Sequence, residues 1–177
     1  MIIISNLLKE KRESSIDNGV LMAMVPKKYC SLLVNFGKKI ISEKDLFKIN
    51  NEFGREKECH VTILYGFTKD LNELEIRRII EGTKPFNVTI TGISKFTPPE
   101  EYEVVKFDIK SDTLIKLHEK CKKLPFESDF PDYHPHLTIA YVKKDKFNES
   151  KEGINISIPI DVICYSTAQQ IKSYYKL

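Results

Sequence analysis

Strand-like and helix-like segments alternate twice in the same order along the middle of this chain, and that repetition restricts the fold more than any other feature. Cys59 to Gly66 reads as a strand. A helix follows, carrying Leu74, Ile76, Ile79 and Ile80, with Asp70 or Asn72 as its cap and Gly82 at its end. Phe86 to Phe96 then alternates like a strand. After the Pro98-Pro99-Glu100 turn, residues 102–142 repeat the order: a strand from Tyr102 to Ile109, a helix capped by Asp112 with Leu114, Ile115, Leu117 and Cys121, and a strand from His136 to Val142. Two such half-units predict an α+β domain of mostly antiparallel sheet, with helices outside and an internal pseudo-two-fold.

The flanking segments add to this plan. Residues 1–18 form a polar leader, and residues 19–177 are expected to make one domain, as 177 residues can bury a single sizeable core. Val20 to Val25 is a strand that Pro26 closes. Between 27 and 53 the apolar spacing predicts two short helices separated at Gly37, the second behind a Ser42 cap. The helical segment 27–58 ends in a charged stretch with Gly54 and is expected to act as a flap over a site. Ile154 to Tyr165 and Ile171 to Tyr175 are the last strands. No apolar run reaches the roughly 18 residues of a membrane span, and Met1 to Ile4 is too short for a signal-peptide core, so a cytoplasmic protein without a membrane partner is expected. The four cysteines show no metal-binding spacing and are expected as reduced thiols. With 28 Lys and Arg against 25 Asp and Glu, the net charge of +3 does not predict a surface that coats long duplex nucleic acid.

Chemistry concentrates in a string that occurs twice. His60-Val61-Thr62-Ile63 and His136-Leu137-Thr138-Ile139 each open a strand, and side chains two apart on a strand share a face, so each string presents an imidazole beside a hydroxyl. With four His and nine Thr in the chain, finding this spacing twice is about a 1 to 2% coincidence. Either string alone reads as ordinary strand sequence; the pair predicts one site in a cleft between the half-units. Neutral imidazole accepts a proton, imidazolium gives one, and hydroxyls donate to phosphoryl oxygens, a set that suits phosphoryl chemistry without metal or other cofactor. A competing three-nitrogen metal site would use His60, His134 and His136, but Pro135 interrupts that strand. His118 reads as structural.

The extended strings, His60-Val-Thr-Ile-Leu-Tyr-Gly66 and Phe130-Pro-Asp-Tyr-His-Pro-His-Leu-Thr-Ile-Ala-Tyr-Val142, resemble the 2H phosphoesterase superfamily of 2'-5' RNA ligase-like proteins and cyclic phosphodiesterases. They are most similar to bacteriophage members such as anti-CBASS cyclic-oligonucleotide nucleases. The resemblance implies a duplicated, two-lobed fold around a central cleft, with His60, Thr62, His136 and Thr138 catalytic. It also implies a small cyclic or 2'-5'-linked nucleotide substrate, whose degradation would blunt an immune signal in an infected host cell. Processing of RNA ends bearing 2',3'-cyclic phosphate and non-catalytic sequestration of a cyclic nucleotide are the alternatives. The chain lacks Trp, so base stacking would fall to Tyr65, Phe67, Phe96 or Tyr133, with Phe96 and Tyr133 favoured because they flank loops and His134 also lining the site. Lys95, Lys143, Lys144 and Arg55 are candidate phosphate contacts.

Overall fold

A computed structural model describes residues 18–49, 53–128, 132–149 and 155–177. Most of the polar leader and Phe130 therefore lie outside the described residues. The elements are β1 (Gly19–Met24), α1 (Lys27–Ile40), β2 (His60–Phe67), α2 (Glu73–Ile80), β3 (Phe86–Phe96), β4 (Tyr102–Lys110), α3 (Asp112–Cys121), β5 (His136–Lys143), β6 (Ile156–Ile160), β7 (Val162–Ser166) and β8 (Lys172–Lys176). The strands form two four-stranded antiparallel sheets, ordered β2-β1-β7-β8 and β5-β4-β3-β6. The α+β, two-lobed architecture expected from the sequence is present.

The repeat, however, is not the one the local pattern suggests. The equivalent units are β1-α1-β2 and β4-α3-β5: in each, a strand leads to a helix and then to the His-x-Thr strand, which returns antiparallel to the first. β2 and β3, expected as two strands of one half-unit, belong to different sheets. The helices are exchanged, since α3 packs on β2 and α1 on β5. Local periodicity identifies elements, but pairing partners are chosen by long-range burial, and the sequence neighbours of β2 misled the assignment.

Each motif strand is the edge of its sheet, and its outer edge is covered by the segment that follows the helix packed on it. Glu127 N–H donates to Gly66 O (2.9 Å) along β2, while along β5 Phe47 N–H donates to Tyr141 O (3.0 Å), Glu56 N–H to Ile139 O (3.0 Å) and Tyr141 N–H to Gly54 O (2.8 Å). These bonds satisfy groups that an exposed edge would leave unpaired. Within the segment expected as a flap, Phe47, Gly54 and Glu56 are thus bonded by backbone beside β5. Arg55 holds it by donating to Gly37 O (3.0 Å), Ile41 O and Glu43 Oε1 (2.7 Å), so this arginine caps α1.

Several local expectations change in detail. Residues 27–49 contain one α-helix followed by a 3₁₀ turn at Glu43–Asp45, so the two-helix reading fails. Gly37 sits inside α1 because a Cβ there would lie 2.7 Å from Ile139 Cγ2; it permits close packing on β5 and does not break the helix. Asn72 caps α2 in a capping box with Glu75, and Ser111, not Asp112, caps α3. The stretch expected as one strand from Ile154 to Tyr165, of which Ile154 lies outside the described residues, divides at Asp161 into β6 and β7, one for each sheet. Cys30 and Cys59, expected as thiols, are paired as a disulfide with Cα atoms 5.4 Å apart, while Cys121 and Cys164 are free and buried. A separation of 29 residues gives no hint of this; the meeting of α1's first turns with the entry to β2 creates it. The apolar residues of both sheets join in one core.

Gly66 is a sharp test of the edge arrangement. Its φ is +108°, and a Cβ would lie 1.8 Å from the Glu127 carbonyl oxygen, which is backbone and cannot step aside. Gly66→Ala should lose about 2 kcal/mol or more in chemical denaturation, against about 1 kcal/mol for Gly82→Ala, whose surroundings are open.

Candidate active site

The two motif strands lie against each other and share one burial pattern over their first seven residues, with half-buried and buried positions in the same order. Val61 and Leu137 are buried beneath the helices, whereas His60, Thr62, His136 and Thr138 are half-buried on the opposite face. Each ring is held in the same way. His60 Nδ1 bonds to Glu58 O (2.7 Å) and His136 Nδ1 to His134 O (2.8 Å). A carbonyl only accepts, so Nδ1 carries the hydrogen and, in the neutral ring, Nε2 is left as the proton acceptor.

Both strands carry an irregularity directly after the Thr. In β2 the partners of Leu21 and Met22 are Leu64 and Thr62, skipping Ile63; in β5 those of Val105 and Lys106 are Ala140 and Thr138, skipping Ile139. Such a bulge reverses the alternation. Tyr65 and Tyr141, which strict alternation would aim away from the histidines, are thereby returned to the His-Thr face. Tyr65 was a candidate; Tyr141 was missed, although a Tyr five residues after the His in both strings was a readable signal. The bulge carbonyl of Ile63 accepts from His118 Nδ1 (2.7 Å), so His118 is structural in the specific sense of holding the motif strand's kink.

Other candidates take varied places. Tyr133 stacks on His118 (4.0 Å between ring centres, 5° between planes) and donates its hydroxyl to Thr62 O (2.8 Å). Burial pushes its phenol well above the ordinary value, and its ring is a tether between the lobes. Phe96 meets His136 edge-on at 4.9 Å, and Lys106 lies over its ring. The His134 side chain is exposed, and its carbonyl orients His136. Lys95 is bound to Glu103 (2.8 Å) and to Phe147 O (3.1 Å), Lys143 reaches Lys44 O (2.8 Å), Lys144 is exposed, and Arg55 serves α1 as described. Among the described residues no group of three His, Cys, Asp or Glu is arranged to hold a metal ion, so His60, His134 and His136 do not form the alternative nitrogen site.

What the sequence reading missed most is beneath His136. In the β4–β5 register Lys106 stands opposite Thr138 and Asp108 opposite His136. The Lys106 side chain is 7% exposed, and its ammonium donates to Ser94 Oγ (2.6 Å) and is paired with Asp108. Desolvation pulls the His136 pKa below its ordinary value; the charges of Lys106 and His60 pull the same way, while the His134 bond and Asp108 oppose them.

A family model described as the 2'-5' RNA ligase superfamily matches residues 50–154, more than half of the chain and both His-x-Thr strings. The chain belongs to this superfamily of 2H phosphoesterases. The curated protein "Putative phosphoesterase OB1230" of Oceanobacillus iheyensis is 29% identical over 116 residues, which span 58% of this chain and 66%, just under two thirds, of that protein. Among solved structures, TT0787 of Thermus thermophilus aligns with TM-score 0.62 at 15% identity, over 90% of this chain and 94% of that one. Kluyveromyces marxianus Usb1 aligns at 0.60 with 11% identity, over 93% and 100%. Escherichia coli LigT complexed with 3'-AMP aligns at 0.56 with 12% identity, over 91% and 95%. At these identities the structural matches establish a shared 2H fold.

The lowered His136 pKa has a consequence for stability. Between the folded value and the ordinary 6.5, the unfolded chain binds the proton that the folded chain refuses. Stability contributed by this site is therefore present above about pH 6.5 and lost as pH falls through that window. His136→Gln should flatten the fall in melting temperature between pH 7 and 5; an unchanged slope would refute the linkage.

Proposed function

We propose that this superfamily member is a phosphodiesterase that cleaves small cyclic or 2'-5'-linked nucleotides without a metal ion. One observation carries the reading: two His-Thr pairs stand on the half-buried faces of adjoining strands, each imidazole oriented through Nδ1 so that Nε2 is the working nitrogen. In either linkage the ribose hydroxyl beside the phosphodiester is the nucleophile, held near phosphorus at high effective concentration. One His takes its proton, the hydroxyl oxygen bonds to phosphorus, the bond to the departing oxygen breaks, and the other His protonates that oxygen. Thr62 and Thr138 donate to the non-bridging oxygens as charge builds. The first product is a 2',3'-cyclic phosphate.

The net charge of +3 favours a small ligand over a long polyanion. LigT, one of the structural neighbours, has been solved in complexes with 3'-AMP, ATP and NADP+. A phage role in removing immune nucleotide signals rests on the resemblance of the extended strings.

A chromatographic screen of cyclic di- and trinucleotides, 2'-5' oligoadenylate and RNA ending in 2',3'-cyclic phosphate tests the substrate class. His60→Ala and His136→Ala should each cost about 10²- to 10⁴-fold in turnover of whichever is cleaved, with Thr62→Ala and Thr138→Ala milder and activity intact in EDTA. Near wild-type turnover by either His variant would refute the paired site, and exclusive action on RNA ends would replace the cyclic-nucleotide substrate. Ligand bound but returned intact would identify a sequestering protein.

A further inference from the structure

The two halves of the site match at the motif and differ one strand further in. On β1 the residues opposite Thr62 and His60 are Met22 and Met24; on β4 the corresponding residues, opposite Thr138 and His136, are Lys106 and Asp108. The next strands continue the contrast. Cys164 of β7 stands opposite Met22, and Ser94 of β3 stands opposite Lys106. One lobe therefore backs its histidine with two thioethers and a buried thiol, the other with a buried cation, a carboxylate and a hydroxyl joined by hydrogen bonds.

Resting on the phosphodiesterase reading, we infer that Lys106, fixed by Asp108 and Ser94, is a positioning residue that makes the two histidines unequal: His136 is the general base and His60 the general acid. Burial is the larger reason that His136 resists protonation, and a buried ammonium beside the imidazole adds to it by disfavouring a second positive charge, so His136 is the ring kept neutral and ready to accept. The ammonium also stiffens the ring physically, because Lys106 lies 4.4 Å from the centre of Phe96, whose edge meets His136. The charged groups acting on His136 are Lys106 and Asp108 from β4 and His60 from β2. Near His60 stands the Glu58–Lys172 pair, contributed by the strand entry and β8, with no cation in the position that Lys106 occupies. When two such rings interact, the protonated form concentrates on the one whose surroundings resist it less. The base then removes the ribose hydroxyl proton at His136 Nε2, and the proton on His60 Nε2 goes to the departing oxygen as its bond to phosphorus breaks.

Two experiments test this. Proton NMR titration of the ligand-free protein, with resonances assigned by His60→Gln and His136→Gln, should show His136 titrating below the ordinary imidazole value of 6.5. Lys106→Met should move His136 upward, since the cation is lost and Asp108 remains; Asp108→Asn should move it downward. Opposite signs are a signature that simple loosening of the fold would not give, and melting temperatures report any such loosening. No movement of His136 in either variant would overturn the role of Lys106. The second experiment uses the p-nitrophenyl esters of adenosine and uridine 3'-phosphate, whose leaving group departs without a proton. The loss caused by His60→Ala should shrink at least about tenfold on these esters relative to the natural substrate, and that caused by His136→Ala should persist. Rescue of His136→Ala in place of His60→Ala would reverse the assignment. Titration as expected with no phosphodiester cleaved would overturn the phosphodiesterase reading while supporting the electrostatic role of Lys106.

Discussion

The structure depends on placing the two His-x-Thr strands at the edges of their sheets. An edge strand can face a second lobe, but it exposes a row of unpaired N–H and C=O groups on its outer side. The chain satisfies them reciprocally. The segment after α3 lies along β2, the segment after α1 lies along β5, and each helix packs on the lobe to which it delivers that segment. Gly66 and Gly37 each mark a place on a motif strand's contacts where a neighbour comes closer than a Cβ allows. The exchange of helices therefore ties the lobes together and leaves the His-Thr faces half-open.

Within each motif strand the bulge after the Thr does a second job. It turns a string that would present every other residue into one that presents His, Thr and a Tyr five residues on, and it frees a carbonyl that a neighbour must satisfy. In β2 that neighbour is His118, stacked in turn on Tyr133, whose hydroxyl holds Thr62 O. In β5 it is the Glu56 N–H of the covering strip. The same geometric demand is met by a side chain in one lobe and by backbone in the other, so the two lobes keep the same bulge while its supporting residues diverge.

That divergence is greatest on the strands behind the histidines. Met22, Met24 and Cys164 are soft and apolar; Lys106, Asp108 and Ser94 form a hydrogen-bonded polar set. A motif that reads identically on both sides is thus set in two different dielectric and charge environments. In the proposed acid–base chemistry such a difference would bias which ring accepts the proton and which gives it.

The sequence by itself determined the kinds of element, the two His-x-Thr strings and the α+β class, because strand alternation, helical spacing and caps are local and leave their mark within a few residues. It also carried the family, since both strings are contiguous. The tertiary structure alone decided which strands pair, that α1 and α3 are exchanged, that Phe47, Gly54 and Glu56 bond along β5, and that Cys30 meets Cys59. These depend on contacts between residues far apart in the chain, for which no local pattern exists. Tyr133 was legible as a residue near the motif but not as a tether, because its partners, His118 and Thr62, lie 15 and 71 positions away. Lys106 was illegible altogether: in the sequence it is one lysine among many on an alternating strand, and only the register of β4 against β5 sets it beneath Thr138, buried and beside His136.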